Sequence, residues 1–472
     1  VSGRDPGAAS RTSLVRLPGQ AVLFVVSLGL LPAPPVAGDE PPKQAAAAAE
    51  SGTSAAKAEK TSHWEVSWRG WDGLWLQLVQ KTPLKAPPRP HLFGPEGLVS
   101  KPIINVEEVA LTSAIGVKLA GDAAVFKTSG NLTGFDDGAE LRRARLNFEG
   151  SWTLLLPVQY KLDIGYVPNK FVLSEAWLLL PAVAYAGSVQ LGQFQPPQGL
   201  DVLNSSWAIT FMEPAAPLQA LAPGTEAGVQ VGRPVLHDRA TWWLGAFANG
   251  AGGSEYGLVA SSYGSAIGRL TWLPLRGSGH VPRFLHVGLS GDFLFTASTI
   301  RYQSRPESYI APYVIDTGNI SASRAVTLGA EAAWVNGPFS LQSEILHSFV
   351  SPEQGGSLNF GGWYASASWF LTGESRPYDP ATARFPLVTP KRSFRWGKGG
   401  DWGAFELACR YSYTNLTNHD VQGGRLNMLM GGFNWYLQEH VRAYVNVGRG
   451  RVTGTAEVGY MTIFQVRLAV FM

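Results

Sequence analysis

Arg143 and Arg145 stand two residues apart in the run Glu140 to Gly150 (ELRRARLNFEG), with Asn147 two residues further on. In an extended strand, residues at i, i+2 and i+4 share a face, so this spacing sets two guanidinium forks and an amide in one row. Arginines so placed attract anions through their field and hold oxyanions through fork-shaped hydrogen bonding. Lys118 and Lys161 occupy the equivalent face of their own alternating segments. These cations can equally pair with carboxylates on neighbouring strands, since Asp122, Asp163, Glu331, Glu344 and Glu406 fall on the matching faces. Arg142 is one residue out of phase, so alternation turns it to the opposite face, with its guanidinium reaching back to a polar border.

No catalytic constellation accompanies them. The eight histidines are scattered with none at i, i+4 metal-ligand spacing, and there is no Gly-x-Ser-x-Gly or phosphate-loop pattern. Gly252-Gly253-Ser254 and Gly399-Gly400-Asp401 read as turns within alternating surroundings, and nothing local brings Asp201 and Glu213 together. The single cysteine, Cys409, excludes an intramolecular disulfide and sits on the apolar face of Phe405, Leu407, Cys409 and Tyr411. A net charge of +3 over 472 residues gives no footprint for nucleic acid. The residues point to neither enzyme nor cofactor nor metal.

The elements that must position these side chains are strands. Val158, Tyr160, Leu162, Ile164 and Tyr166 alternate with Gln159, Lys161, Asp163 and Gly165; Val326, Leu328, Ala330, Ala332 and Trp334 alternate with Thr327, Gly329 and Glu331. The same period-2 pattern recurs from about Ser113 to the end, and no stretch after residue 40 approaches the ~18 apolar residues of a membrane helix. Charged residues make up only 15%, well below the roughly one quarter of an ordinary soluble protein. Aromatics gather at segment ends (Trp64, Tyr166, Trp272, Trp334, Trp369, Trp435, Tyr436), where interfacial girdles belong. The last eleven residues, Thr462 to Met472, alternate to the terminus, which suits a barrel whose final strand must meet its first.

Together these features predict an all-β fold: a transmembrane antiparallel barrel of about 16 strands, with 14 or 18 as alternatives, over residues 63–472. A barrel of that size encloses an aqueous channel. Ahead of it, residues 1–38 read as an export signal, with Arg11 and Arg16 before the apolar run Ala21 to Leu31 and a small-residue zone ending at Gly38. Residues 39–62, rich in Ala, Lys, Glu and Ser, read as a low-complexity tether, and Pro83 to Pro102, with six prolines, as loop. Gly192 to Pro217 interrupts the alternation and carries Trp207, Phe211 and Met212, which a solvated loop would expose; it is expected to fold inward as a constriction. The competing reading is a secreted, soluble all-β carbohydrate-binding protein or carbohydrate-active enzyme that uses its aromatics to stack sugars.

Particular runs add a resemblance. Phe135 to Leu146 (FDDGAELRRARL), Gly192 to Gly199 (GQFQPPQG), Ile209 to Glu213 (ITFME), Gly432 to Leu437 (GFNWYL) and Ile463 to Arg467 (IFQVR) resemble the phosphate-selective porin family of outer-membrane anion channels. The resemblance implies a 16-stranded barrel in the bacterial outer membrane, a homotrimer, passage of small hydrophilic or anionic solutes, and a constriction loop in which Gln195, Ser205, Ser206 and Trp207 hold family positions. Arg143, Arg145, Lys161 and Lys118 are then the anion-attracting lining. The loop departs from the family's usual Ser-Ser-Arg-Asp, since Trp207 and Ala208 replace its arginine and aspartate. The C-terminal strand, which the outer-membrane assembly machinery reads, ends in Met472 rather than the usual Phe, and Phe471 is turned to the inner side.

Overall fold

The computed structural model describes residues 62–68, 74–80 and 110–471, apart from gaps at 154–155, 168–169, 249–257, 261–262, 278, 280, 297–298 and 398–399. The export signal, the tether up to residue 61, Pro83 to Pro102, the Gly252 turn, Gly399 and Met472 lie outside the described residues.

Sixteen strands follow one another in an antiparallel ladder: β1 Ala110–Gly130, β2 Gly138–Thr153, β3 Pro157–Val167, β4 Lys170–Val183, β5 Gly187–Phe194, β6 Glu226–Val235, β7 Ala240–Ala248 and β8 Tyr263–Arg276, then β9 Arg283–Thr296, β10 Ile320–Asn336, β11 Phe339–Pro352, β12 Leu358–Phe370, β13 Ala404–Asn418, β14 Val421–Gln438, β15 Val441–Thr453 and β16 Gly459–Phe471. β16 pairs with β1 from Gly459↔Gly130 to Phe471↔Lys118, so the sheet closes on itself. Closure leaves no unpaired edge along the wall, the condition for a sheet that meets lipid. The closed ladder of sixteen starts at Ala110. A hairpin of Ser62–Trp68 and Leu74–Gln80 pairs with β1 at Thr112 to Ile115, beyond the point where β16 stops.

The burial pattern is that of a globular protein turned inside out. Leu119, Leu244, Leu270, Leu289, Leu328, Ile345, Leu429 and Leu468 are exposed on the outer face. On the inner face of the same barrel, Arg269, Arg410, Arg442 and Arg467 are buried with Glu331, Glu344 and Glu406. A soluble sandwich buries the apolar face and wets the polar one; an apolar belt around the whole circumference is stable against hydrocarbon. Trp272, Trp334 and Trp369 are exposed on this belt, and Phe339 stacks on Trp369 at 5.5 Å. Tyr436 departs from that girdle: it points inward, is buried, and donates its hydroxyl to Glu406 at 2.7 Å.

Connections at the end where β16 finishes are short, such as Gly337–Pro338 between β10 and β11, with one exception, residues 371–403. The opposite end carries longer segments at 195–225 and 297–319. Of these three insertions, the sequence reading anticipated only the one at 195–225, read there as Gly192 to Pro217. The inner wall beside them is not wet throughout: Leu346, Phe360, Met428, Met430 and Ile463 pack with Leu218 and Leu221 in one apolar cluster.

Candidate functional site

Residues 195–225 hold two short helices, α1 Leu200–Leu203 and α2 Ala216–Leu221, and little regular backbone pairing. Their backbone groups are instead satisfied by side chains from the inner wall, as buried amides and carbonyls must be. Glu344 of β11 accepts from Leu200 N at 2.6 Å and Asp201 N at 2.8 Å, and Asn446 of β15 accepts from Met212 N at 3.0 Å. Asn434 donates to Thr210 O at 2.8 Å, Arg442 to Ile209 O at 2.9 Å and Arg410 to Glu213 O at 2.9 Å. Gly199, with φ +79°, turns the chain into α1; a Cβ there would stand 2.7 Å from Leu218 Cδ1.

Arg142 corrects the alternation reading. The register between β1 and β2 slips between Ala120↔Arg143 and Gly121↔Leu141, so Arg142 is an extra residue in a β-bulge and turns inward beside Arg143. It is fully buried, donating to Glu213 Oε1 at 2.9 Å and Oε2 at 3.1 Å, and its guanidinium lies 3.6 Å over the Tyr309 ring of the 297–319 segment. Arg467 Nη2 reaches Glu213 Oε1 at 2.6 Å, and Arg143 stands 3.9 Å from Oε2. Burial by itself would raise the pKa of Glu213, but Arg142, Arg467 and Arg143 outweigh it and hold the carboxyl at about 2. Asp201 is stationed separately, 3.5 Å from Arg410 and accepting from Ala215 N. The two carboxylates are anchors for the loop rather than an acid–base pair.

Between this loop and the inner faces of β1 to β7 lies a cavity of about 500 Å3. Lys118, Arg145 and Lys161 line it from the wall, and Gln195, Ser205, Ser206 and Trp207 from the loop. Arg143 does not; it is withdrawn into the Glu213 cluster. Two of the cations are neutralised in place. Arg145 stands 3.8 Å from Asp163, and Lys161 stands 2.6 Å from Glu175. Gln195 donates to Pro223 O at 2.7 Å, closing the base of the loop, and Trp207 packs on Phe471 with ring centroids 5.6 Å apart.

Arg384, from the 371–403 segment, also lines the cavity. Among the described residues, neither its side chain nor that of Lys118 has an ion-pair or hydrogen-bond partner. Burial first, then the like charge of Arg269, lowers the pKa of Arg384, but a guanidinium remains charged at neutral pH. Sequence reasoning missed Arg384 because it lies between strands, where no periodicity assigns a face. Its segment is drawn in by Phe385 N donating to Asn204 Oδ1 at 2.9 Å and Arg269 donating to Ala383 O at 3.0 Å. Trp177 and Trp243 line the cavity too. The signal for Trp177 was present, since it shares a face with Glu175 two residues before it.

The family described as phosphate-selective porin O and P matches residues 114–469. Porin O of Pseudomonas aeruginosa is 26% identical over 361 residues, covering 67% of this chain and 78% of that protein. An uncharacterised protein of Caulobacter vibrioides is 29% identical over 329 residues, covering 67% of this chain and 63% of that protein, so the chain spans a little under two thirds of that relative's length. Among solved structures, the anion-selective porin from Comamonas acidovorans aligns over 77% of this chain and 100% of its own at 13% identity and a TM-score of 0.47. A loop-deletion form of OmpT from Vibrio cholerae aligns over 77% and 99% at 10% identity and a TM-score of 0.49. With most of the chain matched over the span that closes the barrel, this protein of the bacterial outer membrane belongs to the phosphate-selective porin O and P family.

Proposed function

We propose that the barrel is a water-filled channel for passive diffusion of small hydrophilic solutes and favours anions, phosphate-type oxyanions among them. The observation that carries the preference is the charge imbalance of the cavity. Lys118, Arg145, Lys161 and Arg384 face two carboxylates, Asp163 and Glu175, and both carboxylates are already engaged. Lys118 and Arg384, which have no ion-pair partner among the described residues, sit between low-dielectric walls that focus their field on the passage. The loop at 195–225 narrows the bore to this cavity, so a solute meets the charges at close range. A homotrimer and recognition of β16 by the assembly machinery belong to the same reading.

Planar-bilayer recordings under a salt gradient test it. The wild-type reversal potential is expected to show anion preference, and Lys118→Gln with Arg384→Gln to reduce the anion-to-cation permeability ratio several-fold. A wild-type channel that prefers cations, or a purified barrel that carries no current, refutes the proposal.

A further inference from the structure

The cavity holds more than charge. Gly232 on β6 is the register partner of Trp243 on β7, and a Cβ on Gly232 would stand 2.4 Å from Trp243 Cε3 and 2.5 Å from Cδ2. The indole therefore lies down on the glycine, along the wall, instead of projecting across the bore. An aromatic ring held flat against a wall presents its other face to whatever occupies the space. Three strands away, Trp177 donates from Nε1 to Glu175 Oε2 at 3.1 Å, which pins its ring along β4. Between the two tryptophans, Gln230 of β6 donates to Gln190 of β5 at 2.8 Å, forming an amide row.

The unmet polar groups narrow the ligand further. Among the described residues the side chain of Arg384 has no ion-pair or hydrogen-bond partner, so an occupant with a negative acceptor is favoured there. Gln230 Oε1 is a buried oxygen without a donor among the described residues, so an occupant with an O–H or N–H group is favoured too. A bare oxyanion answers only the first demand. An aromatic carboxylate answers the first and stacks, but brings no donor for the buried Gln230 oxygen. A sugar ring with an anionic substituent meets all three: an apolar C–H face for the indole, a hydroxyl for the amide oxygen, and an oxyanion for the guanidinium. A volume of about 500 Å3 accommodates a monosaccharide.

We infer that this cavity is a binding station for monosaccharide-sized sugars carrying an oxyanion, either a phosphate or a carboxylate, with the ring stacked on Trp243 and the anion held by Arg384, which follows Ala383, the residue bonded to Arg269 beside Trp243. The station rests on the channel reading above.

Half-blocking concentrations of the ion current in planar bilayers, measured on the full barrel, test it with glucose 6-phosphate, glucuronate, glucose, inorganic phosphate and benzoate. Glucose 6-phosphate or glucuronate is expected to block at concentrations about tenfold below those of glucose, inorganic phosphate and benzoate, as expected from burial of one ring face and one paired charge. The more potent of the two identifies the anion. Trp243→Leu is expected to abolish the advantage over inorganic phosphate, and Trp243→Phe to retain part of it. A conducting, anion-selective barrel blocked equally well by inorganic phosphate, or best by benzoate, overturns the station and leaves the channel standing. A barrel that conducts nothing overturns both.

Discussion

Arg467, near the end of the chain, forms a bidentate pair with Asp122 of the first barrel strand: Nε to Oδ1 and Nη2 to Oδ2 are both 2.7 Å. The two residues are also register partners across the seam, and each side chain is 2% exposed. The same guanidinium continues to Glu213 in the loop. One side chain thus joins barrel closure to the placement of the inserted segment. Removing one member of a buried pair strands the other, at about 3–5 kcal/mol. Arg467→Met is expected to destabilise the refolded barrel by that order in urea titrations in lipid, and a loss under about 1 kcal/mol would mean that the pair does not hold the seam.

Arg142 links β2 to the loop through Glu213 and to the 297–319 segment through Tyr309. Arg142→Ala leaves Glu213 with Arg467 and the more distant Arg143. Hydrogen bonds to charged groups contribute roughly 1.5–3 kcal/mol, so the loop is expected to loosen while the barrel persists. Faster limited proteolysis between residues 192 and 225 and greater open-channel current noise are the expected signs. Wild-type values of both would assign the anchoring to Arg467 alone.

The depressed pKa of Glu213 sets a pH window. Its folded value of about 2 lies below the ordinary carboxylate value of 4.5, so the stabilisation is complete above about 4.5 and is lost as pH falls from there through about 2. Loop protection against an acid-active protease is expected to be flat from pH 7 to 5 and to decline below 4.5. Glu213→Gln is expected to be loose already at pH 7, with no such decline.

Arg143 and Arg145 part company despite their shared strand face. Arg145 lines the cavity, whereas Arg143 is buried beside Glu213. Arg145→Ala is expected to move the reversal potential toward cations, freeing Asp163 on the passage, and Arg143→Ala to leave it within error. Equal shifts in the two variants would mean that the pore reaches the Glu213 cluster.

Much of the wall was legible because the side-chain period of a strand is local. Lys118, Lys161, Asp163 and Gln465 face inward for no reason beyond their parity with apolar neighbours. Parity fails where a residue is inserted, and one bulge moved Arg142 from the outer face to the inner. It also cannot say what an inward residue meets. Met428, Leu429 and Met430 are apolar on both faces of β14, a trace of the packed segments inside, but nothing in that strand names Leu218 and Leu221 as the partners.

The sequence by itself determined a membrane barrel, since alternation and low charge are local properties read one strand at a time. It also placed Lys118, Lys161, Arg143 and Arg145 on the interior face. Only the tertiary structure decided which of them remain without partners. That depends on three inserted segments whose contacts, such as Glu344 with the amides of α1 and Asn204 with Phe385, join residues far apart in the chain. Arg143 was withdrawn and Arg384 delivered by those contacts, because the pairing of a charge is a property of the space around it and not of its place in the chain.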